Sequence, residues 1–293
     1  MLILHDPRCA DYGSSMRPEQ PARVTKTAVH LRTTHPKWNW AAPSLSVDDK
    51  TLQLAHTAAH LDRLAKPYDF DPDTPTFPEI AVHARRAVSA AIEAATHAVR
   101  ENSPAFSLMR PPGHHATHDQ AMGFCYLNQI AVAALAAQRD LGAKRVAIWD
   151  FDAHHGNGTE AILHGRDDVL FASVHQYPGY PGTGTQDHGP RIRNWPIAPH
   201  TPRVDHMAAL RASLDTVLAF APDLILVSAG FDAYVNDPIT EMTLDTEDFA
   251  TLGQWLRESR RPAAAILEGG YSDELPLLID AFLSAWEKTR STA

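Results

Sequence analysis

The sequence has little cysteine, no long apolar run and no surplus of positive charge, and each shortage excludes a class of protein. Only Cys9 and Cys125 occur in 293 residues, so neither a disulfide framework nor a cysteine-rich zinc module is available. No uncharged apolar run approaches the roughly 18 residues that a membrane span needs, and the amino-terminal residues do not resemble a signal peptide. The formal net charge of −9 argues against a nucleic-acid binder. We therefore expect a cytoplasmic enzyme that has no nucleic-acid or membrane partner.

Apolar runs alternate with helical periodicity along most of the chain. Strands are predicted at 1–4, 105–109, 145–149, 168–174, 224–228 and 263–267. Helices are predicted at 24–33, 52–64, 79–100, 127–140, 159–164, 204–220, 245–259 and 274–288, and residues 35–50 look irregular. The alternation predicts an α/β fold in which a mostly parallel sheet is flanked by helices on both faces. Because no linker interrupts the pattern, we expect a single domain over residues 1–293.

Polar residues are concentrated directly after five of these predicted strands, in the segments 110–116, 150–158, 175–184, 229–234 and 268–271. Open parallel sheets bind their ligands at the carboxyl ends of the strands, so these loops should meet at one place. Asp150, Asp152 and His154 alternate along an extended chain and would turn to one face. With Asp232, the residues Asp152 and His154 predict a mononuclear metal site that leaves positions for water and a substrate oxygen. The choice between Zn²⁺ and Fe²⁺ stays open for this donor set.

Proton-transfer groups accompany the metal candidates. The tandem His114 and His115 supplies one imidazole for proton transfer near neutral pH and a second to stabilise charge. Tyr271 follows two glycines and could aim its hydroxyl at a developing oxyanion. The sequence contains no Ser or Cys nucleophile motif and no phosphate-binding glycine loop.

Two other groups have both a structural and a functional interpretation. His56 and His60 lie one turn apart on the predicted helix 52–64, a spacing that suits a metal but is more typical of solvated surface histidines. Asp69, Asp71 and Asp73 form an acidic patch in a proline-rich loop. This patch is either a solvated turn or a rim that attracts cationic substrates.

Six stretches in order resemble the histone deacetylase family of zinc-dependent amidohydrolases, in the arginase–deacetylase superfamily. They are RPPGHHA (110–116), GFCYLN (123–128), DFDAHHG (150–156), YPGTG (180–184), SAGFD (228–232) and EGGY (268–271). The resemblance implies an arginase–deacetylase fold with a parallel sheet of about eight strands. It also implies hydrolysis of an N-acyl amine, typically acetyl-lysine, to a free amine and a carboxylate.

The resemblance also implies a role for individual residues. Asp152, His154 and Asp232 match the zinc ligands, and Tyr271 matches the hydroxyl that polarises the scissile carbonyl. His115 matches the general base that deprotonates a metal-activated water and later protonates the leaving amine. His114 matches the electrostatic partner of His115. Asp150 and Asn157 match the residues that orient the two histidines.

Channel and potassium positions follow from the same resemblance. Phe124 and Tyr180 match the aromatic pair that walls a narrow acyl-lysine channel, and Gly123 matches a backbone contact to the substrate. The family also binds K⁺ as a structural ion near the active site. The matching positions for K⁺ are Asp150, Ser173, and the backbone oxygens of Asp152, His154 and Val174.

The chain resembles a bacterial, class II-like branch of this family. Three of its positions depart from the common pattern of the family. Asn157 stands where many members have Asp, and a neutral amide should leave the pKa of His115 lower than an Asp would. Arg17 stands where the family often has His. Ile239 occupies a rim position that carries Glu in the polyamine-selective branch, whereas the acidic loop at 69–73 favours a cationic substrate. An acyl-lysine protein or peptide and an acetylpolyamine or other small amide both stay open as substrates.

Three alternatives to a deacetylase share some of these residues or the fold. A binuclear manganese hydrolase of the arginase type needs two further aspartates, but Gly156 and Tyr234 occupy those positions. A catalytically silent binder of acyl-lysine is disfavoured by the complete set of His115, Tyr271 and three ligands. Hydrolysis of esters or thioesters is compatible with the same residues. The acyl preference, the physiological substrate and the oligomeric state do not follow from the sequence.

Overall fold

A single parallel sheet forms the centre of the protein. The computed structural model describes residues 1–287, in which eight strands lie in the order β2-β1-β3-β8-β7-β4-β5-β6 and every neighbouring pair is parallel. The strands are β1 (Leu2–Leu4), β2 (Asn39–Ala41), β3 (Ala105–Ser107), β4 (Val146–Asp150), β5 (Val169–Gln176), β6 (Ile192–Ile197), β7 (Leu224–Ala229) and β8 (Ala263–Leu267). The predicted α/β class with a flanked parallel sheet is therefore confirmed.

Helices cover both faces of this sheet, since every residue of β4, β7 and β8 is buried. In the described part of the chain they are α1 (Ala22–Thr34), α2 (Asp49–Leu52), α3 (Ala58–Leu64), α4 (Ile80–Glu101), α5 (Gln129–Leu141), α6 (Asn157–Leu163), α7 (Arg203–Ala219), α8 (Thr246–Ser259) and α9 (Leu275–Glu287). The α4 helix buries alanines at 84, 87, 91, 94 and 98, which is one helical face. These small side chains let α4 lie close to β3, β8 and α5.

Two edge strands were missed by the sequence pattern. β2 has three residues, none of them buried, and lies within the segment 35–50 that was expected to be irregular. β6 contains Pro196, which cannot donate to a sheet and is tolerated because β6 pairs only with β5. Neither strand carries a continuous apolar run, so the pattern that predicts buried central strands does not detect them.

The predicted helix 52–64 is wrong as a single element. The α2 helix ends at Leu52, and α3 begins at Ala58, where the Thr57 side chain accepts a hydrogen bond from the His60 amide. His56 therefore lies in the turn between two helices, and it does not share a helix with His60. Both imidazoles are buried, which corrects the expectation that they are solvated.

The closing helix was expected to run to residue 288, which lies outside the described residues. Within residues 1–287, no helix combines the length and the apolar character that crossing a bilayer demands. The two cysteines are buried as free thiols.

Candidate active site and metal centre

The carboxyl ends of β4 and β7 bring two carboxylates and one imidazole together. One donor atom from each of Asp152, His154 and Asp232 lies within 4.8 Å of the others. The His154 Nδ1 atom lies 3.1 Å from an Asp152 oxygen and 2.9 Å from an Asp232 oxygen. Both aspartates are fully buried, whereas His154 lines a cavity. The structure thus places the three predicted metal ligands around one small space.

Sheet register explains why residues so distant in sequence converge here. Asp150 at the end of β4 lies beside Ser228 of β7, so the segments that follow leave the sheet side by side. The Gly269 amide, after β8, donates a hydrogen bond of 2.7 Å to Asp152. A Cβ atom at Gly269 would collide with the carboxylates of Asp232 and Asp152, so only glycine permits this close approach.

The donor set fits a divalent cation. Two buried carboxylates repel each other, and within residues 1–287 their only ion-pair partners are histidines. Burial, reinforced by the neighbouring charge of Asp152, raises the pKa of Asp232. A cation would remove this electrostatic penalty, because buried charges are tolerated when they are paired or coordinate a metal. One nitrogen and two oxygen donors suit zinc or iron(II).

A histidine pair lies beside the three ligands, with the His114 and His115 ring centroids 4.1 Å apart. The His114 Nδ1 atom lies 3.1 Å from an Asp150 oxygen. Asn157 Oδ1 accepts a hydrogen bond of 2.8 Å from His115 Nδ1. The structure therefore brings together both orienting contacts that the family resemblance implies.

The two imidazoles have pKa values displaced in opposite directions. Burial opposes charge on His114, but the carboxylates of Asp152 and Asp150 outweigh burial and raise its pKa to about 10. Burial lowers the pKa of His115, and the positive charge of His114 lowers it further. His115 is therefore neutral near pH 7. Because Asn157 holds the Nδ1 proton, the His115 Nε2 atom is free to accept another.

A cavity of about 290 Å³ leads from the surface to these groups. Its buried end is lined by His115, His154 and Tyr271. The Tyr180 ring stands 5.1 Å from the His115 ring, and the Phe124 ring stands 5.9 Å from the Tyr271 ring. The mouth and walls are completed by Arg17, Pro18, Asp73, Gly123 and Ile239.

One aromatic wall sits on a strained turn. The backbones of Met122 and Cys125 pair with each other, and two residues lie between them. These two residues, Gly123 and Phe124, have positive φ values of 56° and 66°. Such φ values are required at both centres of a two-residue I′ turn. A side chain at positive φ costs about 1–3 kcal/mol. The Phe124 amide donates to Thr74 Oγ1 at 3.2 Å, a contact that helps to hold the turn. The turn directs an aromatic ring into the cavity wall.

Tyr271 is held by two residues that no sequence motif indicated. Asp237 accepts hydrogen bonds from the Tyr271 amide at 2.8 Å and from the Ile239 amide at 3.1 Å. The Arg23 guanidinium lies 4.8 Å from the Tyr271 ring centroid and donates to the Gly270 carbonyl oxygen at 2.7 Å. Arg23 belongs to α1, so a pattern read around Tyr271 could not have found it.

Glu268 is a further residue to which the sequence had assigned no role. Its buried carboxylate accepts hydrogen bonds from the Gly113 amide at 2.7 Å and from the His114 amide at 3.2 Å. Burial raises its pKa to about 7. Glu268 therefore ties the loop after β8 to the histidine pair after β3. The only feature of the sequence that could have indicated a role for Glu268 is its position directly after a strand, which the predicted ligands share.

A protein-family model described as Histone deacetylase domain matches residues 17–285. The chain belongs to the histone deacetylase family. A probable deacetylase of Methanothermobacter thermautotrophicus is 35% identical over 288 residues, 94% of this chain and 86% of the relative. Acetylpolyamine amidohydrolase 2 of Pseudomonas aeruginosa is 38% identical over 87% of this chain and 78% of its own. The solved HDA15 HD domain aligns with a TM-score of 0.89 at 30% identity, covering 98% of this chain and 90% of that domain.

This histone deacetylase family is metal-dependent, and the protein is accordingly an amidohydrolase that acts on amide C–N bonds. The positions at which an arginase-type site would need further aspartates are Gly156 and Tyr234. Within residues 1–287, Asp152, His154 and Asp232 form the only cluster of this kind. The residues described thus offer ligands for one divalent ion.

The residues expected to hold K⁺ in this deacetylase are neighbours in the sheet. Asp150 of β4 lies directly beside Ser173 of β5, Val174 follows in the same strand, and all of these are buried. The Ser173 hydroxyl lies 2.9 Å from His175 Nδ1, and Asp150 also accepts from the Asp152 amide at 3.1 Å. A potassium ion at this position stays a prediction.

Two histidines and the acidic loop have structural roles at the edge of the deacetylase site. His56 Nδ1 donates to the Thr117 carbonyl oxygen at 2.9 Å, and its Nε2 accepts from the Asn128 amide at 2.9 Å. His60 Nε2 lies 2.8 Å from the Tyr126 carbonyl oxygen, so both imidazoles brace the segment that carries Phe124. In the acidic loop, the side chains of Asp69 and Asp71 accept backbone hydrogen bonds, whereas Asp73 lines the cavity.

Proposed function

We propose that this protein removes an acetyl or other acyl group from an N-acyl amine, with an Nε-acyl-lysine as substrate and zinc as the metal. The observation that carries the proposal is one narrow cavity that ends on His115, Tyr271 and His154 together. A linear acyl amine in this cavity would present its carbonyl to a base, a hydroxyl donor and a metal ligand at once.

Asp152, His154 and Asp232 would hold the divalent ion. When bound, such an ion supplies a Lewis acid that lowers the pKa of water and polarises a carbonyl. The chain itself contributes rigid ligands, because the Gly269 amide holds Asp152 and the Ala153 amide holds Asp232 at 2.8 Å. Carboxylates fixed in this way do not have to reorganise during the reaction.

His115 performs the proton transfer in this proposal. Its neutral imidazole, with Nε2 free, accepts a proton from the attacking water and returns it to the nitrogen of the leaving amine. The Asp150 carboxylate, 3.1 Å from the Nδ1 atom of His114, favours the protonated form of this imidazole. The positive charge of His114 stabilises the negative charge that develops on the substrate.

Tyr271 donates a hydrogen bond to the carbonyl oxygen as that oxygen gains negative charge. Burial raises the pKa of Tyr271, so the phenol keeps its proton at neutral pH. Arg23 packs on the ring and Asp237 holds the backbone amide, so the donor is held in position before the substrate arrives. A donor of this kind is worth about two to three orders of magnitude in rate.

An acetylpolyamine is the second candidate substrate. Asp73 is exposed at the cavity mouth and can attract a cationic amine, and the Pseudomonas aeruginosa relative is named an acetylpolyamine amidohydrolase. Ile239, at the same mouth, offers no charge to such an amine.

The proposal is tested by measuring amine release from a matrix of acyl groups on lysine peptides and on small polyamines, with ester and thioester analogues included. We expect amine release from at least one acyl-lysine. A metal-loaded protein that releases no amine from any member of the matrix would contradict deacetylation and favour a silent acyl-lysine binder. Turnover of esters alone would reassign the reaction.

A further inference from the structure

The mouth of the cavity carries one cation and one anion, and neither has an oppositely charged partner within residues 1–287. Arg17 is half-buried, and its guanidinium donates to the Pro72 carbonyl oxygen at 3.0 Å. A guanidinium has five N–H donors, so most of those on Arg17 remain for a ligand. Asp73 is exposed and forms no ion pair with a residue of the described chain. Both side chains line the cavity that ends on His115.

The other residues at the mouth carry no charge. Pro18, Tyr180 and Ile239 present largely apolar surface, and Ile239 remains 38% exposed. Arg17 and Asp73 are the charged residues at the mouth among those that line the cavity, so its lining has two poles of opposite sign. A polyamine, which carries only positive charges beyond its acyl group, would be attracted to one pole and repelled by the other.

We propose that the preferred substrate is a free Nε-acyl-lysine, whose α-carboxylate binds Arg17 and whose α-ammonium group binds Asp73. The inference rests on the proposed deacetylase function and names its substrate class. A zwitterionic amino acid is complementary to both poles at once, and a guanidinium matches a carboxylate in a bidentate geometry. The acyl-bearing arm would then lie between Phe124 and Tyr180, within a cavity of about 290 Å³ that suits a small molecule.

The experiment uses four matched substrates and the full, metal-loaded chain. Nε-acetyl-lysine has both charges, its carboxamide keeps only the ammonium, Nα,Nε-diacetyl-lysine keeps only the carboxylate, and N-acetylcadaverine lacks the carboxylate. Release of the amine from the side-chain amide is followed for each. We expect KM to be lowest for Nε-acetyl-lysine, and about two- to fivefold higher for each compound that lacks one charge. We expect kcat to change little, because contacts at the mouth are equal in the ground and transition states.

Two variants assign the charges to residues. Arg17→Gln should bring the ratio of the KM for the carboxamide to the KM for Nε-acetyl-lysine close to one. Asp73→Asn should bring the ratio of the KM for the diacetyl compound to the KM for Nε-acetyl-lysine close to one. Arg211→Gln is the control, because Arg211 is a surface arginine of α7 paired with Asp215 and remote from the cavity lining. Arg211→Gln should leave every ratio as in the unaltered protein.

The possible failures are distinguishable. If none of the four compounds and no acyl-lysine peptide is hydrolysed, the deacetylase function itself is wrong. If acyl amines are hydrolysed but the free amino acid has no KM advantage, or if Arg17→Gln leaves the ratios intact, only the substrate inference is overturned. A preference for N-acetylcadaverine would identify a polyamine-type substrate, and a preference for peptides with acidic flanking residues would assign Arg17 to a protein substrate.

Discussion

The guanidinium carbon of Arg23 lies 4.8 Å from the centroid of the Tyr271 ring, and the same side chain donates a hydrogen bond to the Gly270 carbonyl oxygen. Arg23 belongs to α1 near the start of the chain, whereas Tyr271 follows the last strand. Arg23 shares the buried carboxylate of Glu19, which lies 3.3 Å from it, with Arg110. The direction of the proposed oxyanion donor therefore depends on how α1 packs against the loop after β8.

Replacing Arg23→Lys should lower kcat by about one to two orders of magnitude, the scale of a misplacement of about 1 Å in a catalytic group. Lysine retains the positive charge beside Glu19, but it cannot bond the carbonyl oxygens of Glu268 and Gly270 through one rigid fork. Steady-state kinetics and metal content together test this. Arg32→Lys, where an exposed arginine stacks on Trp40, is the control and should keep full activity. An Arg23→Lys enzyme with normal kcat would show that this contact does not orient Tyr271.

Removing one hydroxyl in Tyr271→Phe should reduce kcat by about two to three orders of magnitude, as loss of an oxyanion donor does. Metal content and melting temperature should stay close to those of the unaltered protein. Tyr68→Phe, in an exposed loop position, provides the matched control. Unimpaired turnover in Tyr271→Phe would remove Tyr271 from the mechanism.

His154→Ala and Asp232→Ala should each lose the metal as well as activity, as judged by elemental analysis after gel filtration. Chelation of the unaltered protein should lower its melting temperature, because ligand binding to the folded state stabilises it and the buried carboxylates would be left without a cation. His200→Ala, at an exposed position paired with Glu241, should keep its metal. Stoichiometric zinc in His154→Ala would contradict the ligand assignment.

Asn157→Asp should move the acidic limb of the kcat/KM profile to higher pH. A carboxylate beside His115 Nδ1 favours the imidazolium and raises the pKa of His115, typically by about 1–3 units for an adjacent opposite charge. His115 would then lose its role as a base at a higher pH than in the unaltered protein. Asn102→Asp, at the remote carboxyl end of α4, controls for the added charge. Identical profiles in both variants would mean that residue 157 does not tune the base.

The stability of the protein should fall between pH 6.5 and pH 4 through His206. Burial alone lowers its pKa from 6.5 in the unfolded chain to about 4, and its Nδ1 atom has no hydrogen-bond partner in the described residues. The unfolded state therefore binds the proton more strongly, so the stability present above pH 6.5 is lost as the pH falls. Through His206, the free energy of unfolding should be about 2 kcal/mol lower at pH 5 than at neutral pH.

Urea unfolding at pH 7.5 and pH 5.0 gives the loss of stability on acidification for the unaltered protein and for His206→Leu. The difference between the two losses is the contribution of His206. Titration elsewhere, including at the metal site, is common to both proteins and cancels. The Leu variant should lose less stability on acidification. Parallel losses in both proteins would show that His206 is not a source of the acid sensitivity.

Six of the eight strands and the meeting of the polar loops were predictable, because buried central strands are continuous apolar runs and parallel strands end at one edge. The three candidate ligands followed from that rule, since Asp152 and Asp232 come directly after neighbouring strands. The edge strands β2 and β6 lack such runs and could not be found in this way.

The residues that hold the site in shape were beyond the sequence for a different reason. Arg23, Asp237 and Glu268 act through backbone contacts that join loops far apart in the chain, and a backbone partner leaves no motif. His56 shows a different limit: its spacing from His60 indicated a helical pair, but the Thr57 side chain caps a new helix between them. This local capping contact overrides the periodicity of the surrounding residues.

The place of β8 has a consequence for how the protein is made. This strand is the last of the described chain in sequence, yet it lies between β3 and β7 and joins the two halves of the sheet. During synthesis, β1 to β7 can pair only as two separate ribbons until residues 263–267 leave the ribosome. Until then the nascent chain would expose the unpaired edges of β3 and β7, and shielding by a chaperone would matter most at that stage.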